Sequence, residues 1–294
     1  MNVNRYRVNL GKDFKLTKIK THSGNRKADK KEFKEKLSGY LEETAKLQNK
    51  LFAEDRQSLL IILQGMDSAG KDGTIKAIMS GLNPQGVLVH SFKHPSTIEL
   101  EHDFLWRHAI KLPEHGQITI FNRSHYENVL ISKVHPEIVL SERLPGITST
   151  DKVDKSFWNM RYKQINYFEE MNTQNGTCVV KFFLHLSKQE QRNRFLDRIE
   201  NKEKHWKFSS EDIAERRFWN SYQDAYEQTL KHTSTKTAPW YIIPADDKQF
   251  AHLLVCKIIL EKLKQMNPSF PPINKQEKEL MQKAKKELID ERGH

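Results

Sequence analysis

Residues 59–74 constrain this chain more than any other stretch. Five apolar side chains, Leu59-Leu60-Ile61-Ile62-Leu63, run into Gln64 and then into Gly65-Met66-Asp67-Ser68-Ala69-Gly70-Lys71-Asp72-Gly73-Thr74. A short continuous apolar run suits a strand covered on both faces, as in a parallel sheet sandwiched by helices. Gly65 and Gly70 let the loop wrap so that backbone N–H groups converge on an anion. Lys71 adds a cation, and a following helix turns its positive end to the same place. The spacing G-x-x-x-x-G-K is that of a phosphate cradle, but Asp72 stands where a Ser or Thr usually follows the lysine. Thr74 lies two residues beyond that place, which leaves Asp67, inside the loop, as the natural metal ligand. A tight turn with no ligand is the bland alternative.

The rest of the chain alternates in kind. Apolar runs predict strands over 87–92, 118–121, 178–186 and 240–243. Helical spacing predicts helices over 29–54, 73–81, 98–111, 152–172, 188–201, 210–232 and 248–266. Strand-helix alternation of this kind is the mark of a doubly wound α/β sheet. The first 28 residues read as a basic arm on the surface or partly disordered. PSFPPI (268–273) breaks the chain before a polar Lys/Glu-rich helix or tail, so the expected organisation is an arm at 1–28, one domain at 29–267 and a tail at 268–294.

Two further clusters carry charge where a phosphate site would need it. Ile118-Thr119-Ile120-Phe121 ends in Asn122-Arg123-Ser124. A polar residue closing such a strand is placed to organise a metal, and Arg123 to neutralise a transferring phosphoryl group. Helix capping is the competing role for Asn122, and Ser124 competes for it. Ser187 and Glu190 form a capping-box pattern that starts a helix carrying Arg194 and Arg198 at i, i+4. A solvated charged face is the ordinary reading of such a run; a mobile lid over the phosphates, spanning about 187–217, is the functional one.

With these residues in view, the chain resembles the family-2 polyphosphate kinases, through GMDSAGKDGTIK (65–76), NPQGVLVHSFKHPS (83–96), FLWR (104–107), LPEHGQITIFNRSHYENVL (112–130), EQRNRFLDRI (190–199), HWKFS (205–209) and APWYIIPADDK (238–248). The resemblance implies an α/β, thymidylate-kinase-like P-loop fold: a parallel sheet with helices on both faces, a helical lid and helical appendages at both ends. It implies phosphoryl transfer between inorganic polyphosphate and adenine or guanine nucleotides, with Mg²⁺ or Mn²⁺, in a dimer or tetramer. Catalytic roles would fall to Asp67, Lys71, Asn122, Arg123, Arg194 and Arg198, with Asp67 on the metal. Phosphate or nucleotide contacts would come from Gly65, Ala69, Gly70, Asp72, Gly73, Thr74, Lys76, Arg107, Tyr126, Glu127 and Lys207. Many members have Asp in place of Asn122 and Trp-Tyr-Asn in place of His125-Tyr126-Glu127. The form found here resembles the subgroup that phosphorylates both nucleoside mono- and diphosphates. Glu127 is the residue to tune the acceptor, unless it is an ordinary surface glutamate.

Charge and composition narrow the partners. The net charge is +11, and residues 1–36 hold twelve Lys/Arg against four Asp/Glu. Such an excess suits an acidic partner, and a linear polyphosphate is one. Cys178 and Cys256 read as core residues, and no segment reads as a signal region or a membrane span, so a reducing cytoplasm is expected. The five tryptophans do not interleave with Lys/Arg as a base-stacking platform would. This weighs against a specific nucleic-acid binder. An ATP-using nucleoside or nucleotide kinase on the same scaffold is the nearer rival; it would need no polymer.

Overall fold

Alternate residues of one strand enter two separate cores. In β1 (Ser58–Gln64) every residue is buried. Leu59, Ile61 and Leu63 join one hydrophobic cluster, whereas Leu60 and Ile62 join another. A strand with side chains alternating to two covered faces has no solvent side, which is why its sequence reads as an unbroken apolar run. The structure is a computed structural model and describes residues 1–8, 14–24 and 30–291.

Four strands join β1 in one sheet: β2 (Val87–Ser91), β3 (Ile118–Asn122), β4 (Thr177–His185) and β5 (Trp240–Pro244). Their order is β2-β3-β1-β4-β5, and every neighbouring pair is parallel. Register puts Leu63 of β1 opposite Asn122 and Gln64 opposite Phe183. All carboxyl ends therefore emerge along one edge, where open α/β sheets place their ligands.

Helices α1 (Lys30–Glu54), α2 (Lys71–Met79) and α11 (Lys248–Met266) cover one face, with Leu51, Ile78, Leu254 and Ile258 in its cluster. The other face is covered by α7 (Lys155–Gln174) and α10 (Trp219–Thr233), through Phe157, Ile165, Tyr226 and Leu230. Between β2 and β3 lie α3 (Thr97–Leu100) and α4 (Trp106–Ala109); after β3 come α5 (Ile131–Val134) and α6 (Glu137–Leu140). After β4 come α8 (Lys188–Glu200) and α9 (Ser210–Glu215). Helix α12 (Lys275–Asp290) follows the proline break and has no buried residue.

Two expected helices are broken. The stretch 98–111 is two short pieces because Asp103 Oδ1 accepts the Leu105 N–H (2.8 Å) and draws the backbone into a turn. The stretch 210–232 is interrupted by a 3₁₀ turn at Arg216–Phe218. The N-terminal segment also departs from a loose arm. Val3, Val8 and Leu16 are buried, and Arg7 bridges to Tyr241 of β5. Residues 9–13, 25–29 and 292–294 of the expected arm, first helix and tail lie outside the described residues.

Candidate active site

The glycine loop occupies residues 65–70, between the central strand and α2. A Cβ on Gly65 would meet Ala69 Cβ at 3.0 Å and the Leu184 backbone oxygen at 3.1 Å, so the loop can lie this close to β4 only with glycine there. Gly70 takes φ +102° immediately before α2, a left-handed conformation that a side chain would strain. Lys71 folds back over the turn and donates to Gly65 O (2.7 Å) and Met66 O (3.4 Å). Burial, and then Arg123, pull its ammonium below the ordinary lysine value, while Asp67, Glu127 and Asp72 oppose this. The Thr74 hydroxyl donates back to Gly70 O (3.0 Å) within its own helix, so it is occupied there. Ala69 is buried, Asp72 and Gly73 are exposed, and Lys76 is exposed one turn further along α2.

The end of β3 meets this loop from the side. Asn122 donates through Nδ2 to Asp72 Oδ1 (2.9 Å), and its own Oδ1 is buried without a hydrogen-bond partner. Arg123 has φ 64° and donates its backbone N–H to Leu63 O (3.1 Å), which turns the chain sharply off the strand. Its guanidinium donates to Asp67 Oδ1 (3.0 Å). The cap of the next turn is Ser124, which accepts from Tyr126 N (3.3 Å) and Gln64 Nε2 (3.2 Å). Asn122 is thus free of capping. Glu127, on that turn, faces the same cluster; burial pushes its carboxyl up, and Arg123, Lys71 and a hydrogen bond from Gln64 oppose the rise. For Arg123, burial is outweighed by Glu127 and Asp67, which hold its pKa above the ordinary value. Two cations and two carboxylates therefore share one half-buried corner. Any phosphate entering it competes with the carboxylates for Lys71 and Arg123.

Helix α8 flanks the loop. Its start is capped by Ser187, which accepts from Glu190 N (3.0 Å). Arg194 is buried, and its guanidinium is fully engaged with the protein itself. It donates to Ser68 O (2.9 Å), Ala69 O (3.0 Å), Ala245 O (2.6 Å) and Glu190 Oε1 (2.8 Å). It therefore binds the back of the loop. Arg198 donates to Asp212 Oδ2 (3.0 Å) and Lys207 O (3.2 Å), tying α8 to α9. The Lys207 ammonium lies 4.8 Å from the centroid of the exposed Trp206 ring.

Three of the residues expected at the site sit apart from this corner or are turned from it. Tyr126, expected at the nucleotide, is fully buried. Its hydroxyl donates to Glu169 Oε1 (2.7 Å) and accepts from Lys181 Nζ (2.8 Å), so it is turned into the core. Arg107 pairs with Glu99 (3.2 Å) and lies over Phe92. Lys207 stands at the end of the 3₁₀ turn Lys202–Lys207 that follows α8. Conversely, several site residues escaped the sequence reading. Gln191 Nε2 donates to Asp67 O (3.0 Å). Asp212, raised by burial and then by Asp67, approaches the corner from α9. The Tyr226 phenol is driven well above its ordinary value by burial and then by Glu127 and Asp67. Gln191 had a faint signal, three residues before Arg194 on the same helix face; Asp212 and Tyr226 had none, since only folding brings α9 and α10 to the loop.

A glycine loop at the end of the middle strand of a parallel sheet, backed by a helix and bordered by paired cations, defines a kinase of the P-loop class. The family is narrower than the class. The family model described as "Polyphosphate kinase 2 (PPK2)" matches residues 27–271, and the chain belongs to that family of polyphosphate kinases. An ADP-polyphosphate phosphotransferase of Rhodopseudomonas palustris is 48% identical over 279 residues, 95% of this chain and 96% of the relative. An AMP/ADP-polyphosphate phosphotransferase of Meiothermus ruber is 43% identical over 226 residues, covering 77% and 79% of the two. Among solved structures, polyphosphate kinase 2 from Arthrobacter aurescens TC1 superposes with a TM-score of 0.83 at 37% identity, covering 92% of this chain and 91% of that one.

Proposed function

We propose that this enzyme moves the terminal phosphoryl group of inorganic polyphosphate onto nucleoside di- and monophosphates, ADP and AMP first and their guanine counterparts as well. The observation that carries the reading is the convergence of Lys71, Arg123 and Asp67 on the glycine loop. The names of the Rhodopseudomonas and Meiothermus relatives support ADP and AMP as acceptors. The attacking group is a nucleotide phosphate oxygen, already anionic at neutral pH, so no general base is required. The task is to bring two polyanions together and to stabilise the charge that develops on transfer. Lys71 and Arg123 do this by direct contact. Arg194 acts as a positioning residue, fixing the loop carbonyls so that the N–H groups face the phosphates. Arg198 sets the lid through Asp212. Glu127, beside both cations, is placed to sense the size of the acceptor.

The donor set fits Mg²⁺. Among the described residues no group of three or more His, Cys, Asp or Glu side chains is arranged to hold a metal. Mg²⁺ does not need one, since it binds through one or two carboxylates, waters and substrate phosphates. Asp67, with one oxygen outside the Arg123 hydrogen bond, is the carboxylate to hold it, and the unpartnered Asn122 Oδ1 is placed to orient a bound water. When bound, the ion supplies neutralisation of phosphate charge; Mn²⁺ would serve similarly.

We read residues 29–267 as the catalytic domain with its lid at about 187–217, and the whole as a cytoplasmic homo-oligomer. Among the described residues no helix is long and apolar enough to cross a membrane. Exposed Leu88 and Val89 on the edge strand, and the apolar residues of α12, support self-association. The test is a matrix of AMP, ADP, GMP and GDP, each with and without polyphosphate and Mg²⁺, with products separated by chromatography. Turnover that requires polymer and metal is expected. Phosphorylation of a monophosphate by ATP alone, with polymer inert, would overturn the reading.

A further inference from the structure

The N-terminal segment 14–24 precedes residues 27–271, which the family model matches, and it is fastened to the edge of the sheet that carries the phosphate loop. Leu16 is buried, and its N–H donates to Glu227 Oε2 (2.8 Å). The Ile19 carbonyl is 3.2 Å from Nε2 of His185, the last residue of β4. Beyond it, Thr21 Oγ1 donates to Asp246 Oδ2 (2.7 Å), Asp246 N donates to Thr21 O (2.9 Å), and Ser23 Oγ donates to Asp247 Oδ2 (3.3 Å). Asp246 is itself a junction. Its Oδ1 accepts from Ser187 N (2.8 Å) at the start of the lid helix, and Arg194 reaches from Ala245 O to Ser68 O. The strap is thereby tied to the base of the lid, and two side chains of α8, Gln191 and Arg194, join that base to the phosphate loop.

What this strap presents to solvent has one sign. The described residues ahead of α1 include Arg5, Arg7, Lys15, Lys18 and Lys20, with no Asp or Glu among them. Arg7 donates to Lys236 O (3.0 Å), and Lys15 pairs with Glu227 (3.4 Å). Lys18 and Lys20 are exposed and make no ion pair among the described residues. The acids beside them are already occupied: Asp246 by Thr21 and Ser187 N, and Asp247 by Ser23 and by the N–H of Phe250. A rigid backbone thus holds two unneutralised ammonium groups on the phosphate-binding edge.

We propose that the strap is a second binding site for inorganic polyphosphate, taking phosphates beyond those held in the loop, with Lys18 and Lys20 as its contacts. The proposal rests on the reading of polyphosphate as substrate. A nucleotide, or an oligophosphate short enough to fill only the loop, does not reach the strap. A long polymer does, and gains counterion release from each phosphate neutralised, roughly 0.7 in the log–log salt slope per contact for a single-stranded polyanion.

The experiment is to make Lys18→Gln/Lys20→Gln in the full chain. ADP phosphorylation is then measured with long-chain polyphosphate and with the shortest polyphosphate that the wild type accepts, over a series of KCl concentrations. The expected result is a several-fold higher KM for the long polymer and a salt slope smaller by about 1.4, roughly 0.7 for each of the two lysines. The kcat and the KM for the short polymer should stay unchanged, and Lys18→Arg/Lys20→Arg should restore the long-chain KM. An unchanged long-chain KM and slope would overturn the proposal, as would an equal rise for both lengths. Loss of affinity for a single-stranded oligonucleotide with long-chain kinetics intact would make the strap a nucleic-acid contact instead, and would also overturn it. Failure of the wild type to use polyphosphate of any length would sink the parent reading, an outcome separate from those.

Discussion

Lys71 and Arg123 reach the same corner by unlike means. Lys71 needs only the loop that carries it, because its ammonium closes on the carbonyls of residues 65 and 66. Arg123 arrives from a neighbouring strand and is held by Asp67. Each is expected to contribute through direct contact with phosphate, so Lys71→Ala and Arg123→Ala should each lower kcat by about 10²–10³, read in a coupled ATP-synthesis assay. Arg194 behaves differently. A lysine cannot hold Ser68 O, Ala69 O and Ala245 O at once. Arg194→Lys should therefore cost on the order of 10²-fold in kcat by displacing the loop, although the charge is kept. Tyr126→Phe tests the opposite case. It removes a buried hydroxyl from Lys181 and Glu169, so urea unfolding should show a loss of about 1–3 kcal/mol while nucleotide KM stays near wild type. A large rise in that KM would return Tyr126 to the binding site. In the sequence these residues look alike, as polar groups in motifs. Except for Lys71, the partners that separate contact from support lie 43 to 126 positions away along the chain.

At the scale of elements, a buried ion pair ties β4 to two helices and to the turn that bears Glu127. Lys181 of β4 pairs with Glu169 of α7 and donates to Thr233 O (2.8 Å) at the end of α10. Lys181 in the middle of an apolar strand looks like a break in the pattern. The structure shows it fully buried, with its charge met by Glu169 and its pKa lowered by burial against that pairing. Lys181→Met leaves the buried Glu169 without its cation, with Tyr126 and His125 beside it, and should cost about 3–5 kcal/mol in denaturant unfolding. Lys181→Met combined with Glu169→Gln should be less destabilised than Lys181→Met alone. Additive losses would show that the two charges are independent. Element placement was otherwise legible, since β1 through β5 fall where apolar runs fall. The misses, at 98–111 and 210–232, came from local side-chain hydrogen bonding and a 3₁₀ turn, which helical spacing of apolar residues does not report.

For the whole molecule, buried imidazoles set an acid limit, and among the described residues His108, His125 and His185 are each lowered first by burial. His108 and His125 lie with ring centroids 5.6 Å apart beneath the β3 edge. Burial, then His125 and Arg107, hold His108 well below the ordinary 6.5, against a hydrogen bond to Phe104 O. Burial likewise lowers His125, outweighing Glu169. The unfolded chain thus binds protons that the folded one refuses, so stability is full above the ordinary histidine value and falls as pH drops below it. Each group contributes a slope of up to about 1.4 kcal/mol per pH unit until its folded pKa is reached. Thermal midpoints measured from about pH 7 to about pH 5.5 should fall, and His108→Gln should flatten the decline. A midpoint independent of pH in that window would contradict this account.

By itself the sequence determined the class of sheet, the glycine loop and the family, because each is written in neighbouring residues. Five apolar side chains make a doubly covered strand, and two glycines and a lysine make a cradle within a single turn. Only the tertiary structure decided which motif residues touch the site and which stand behind it. It put Arg194 under the loop and Tyr126 in a buried ion-pair network, brought Gln191, Asp212 and Tyr226 to the corner, and fastened the basic N-terminal strap to the lid base. The reason is physical: a backbone conformation is fixed by local sterics, whereas the partner of a charged side chain is fixed by whatever distant group the packed core carries to it.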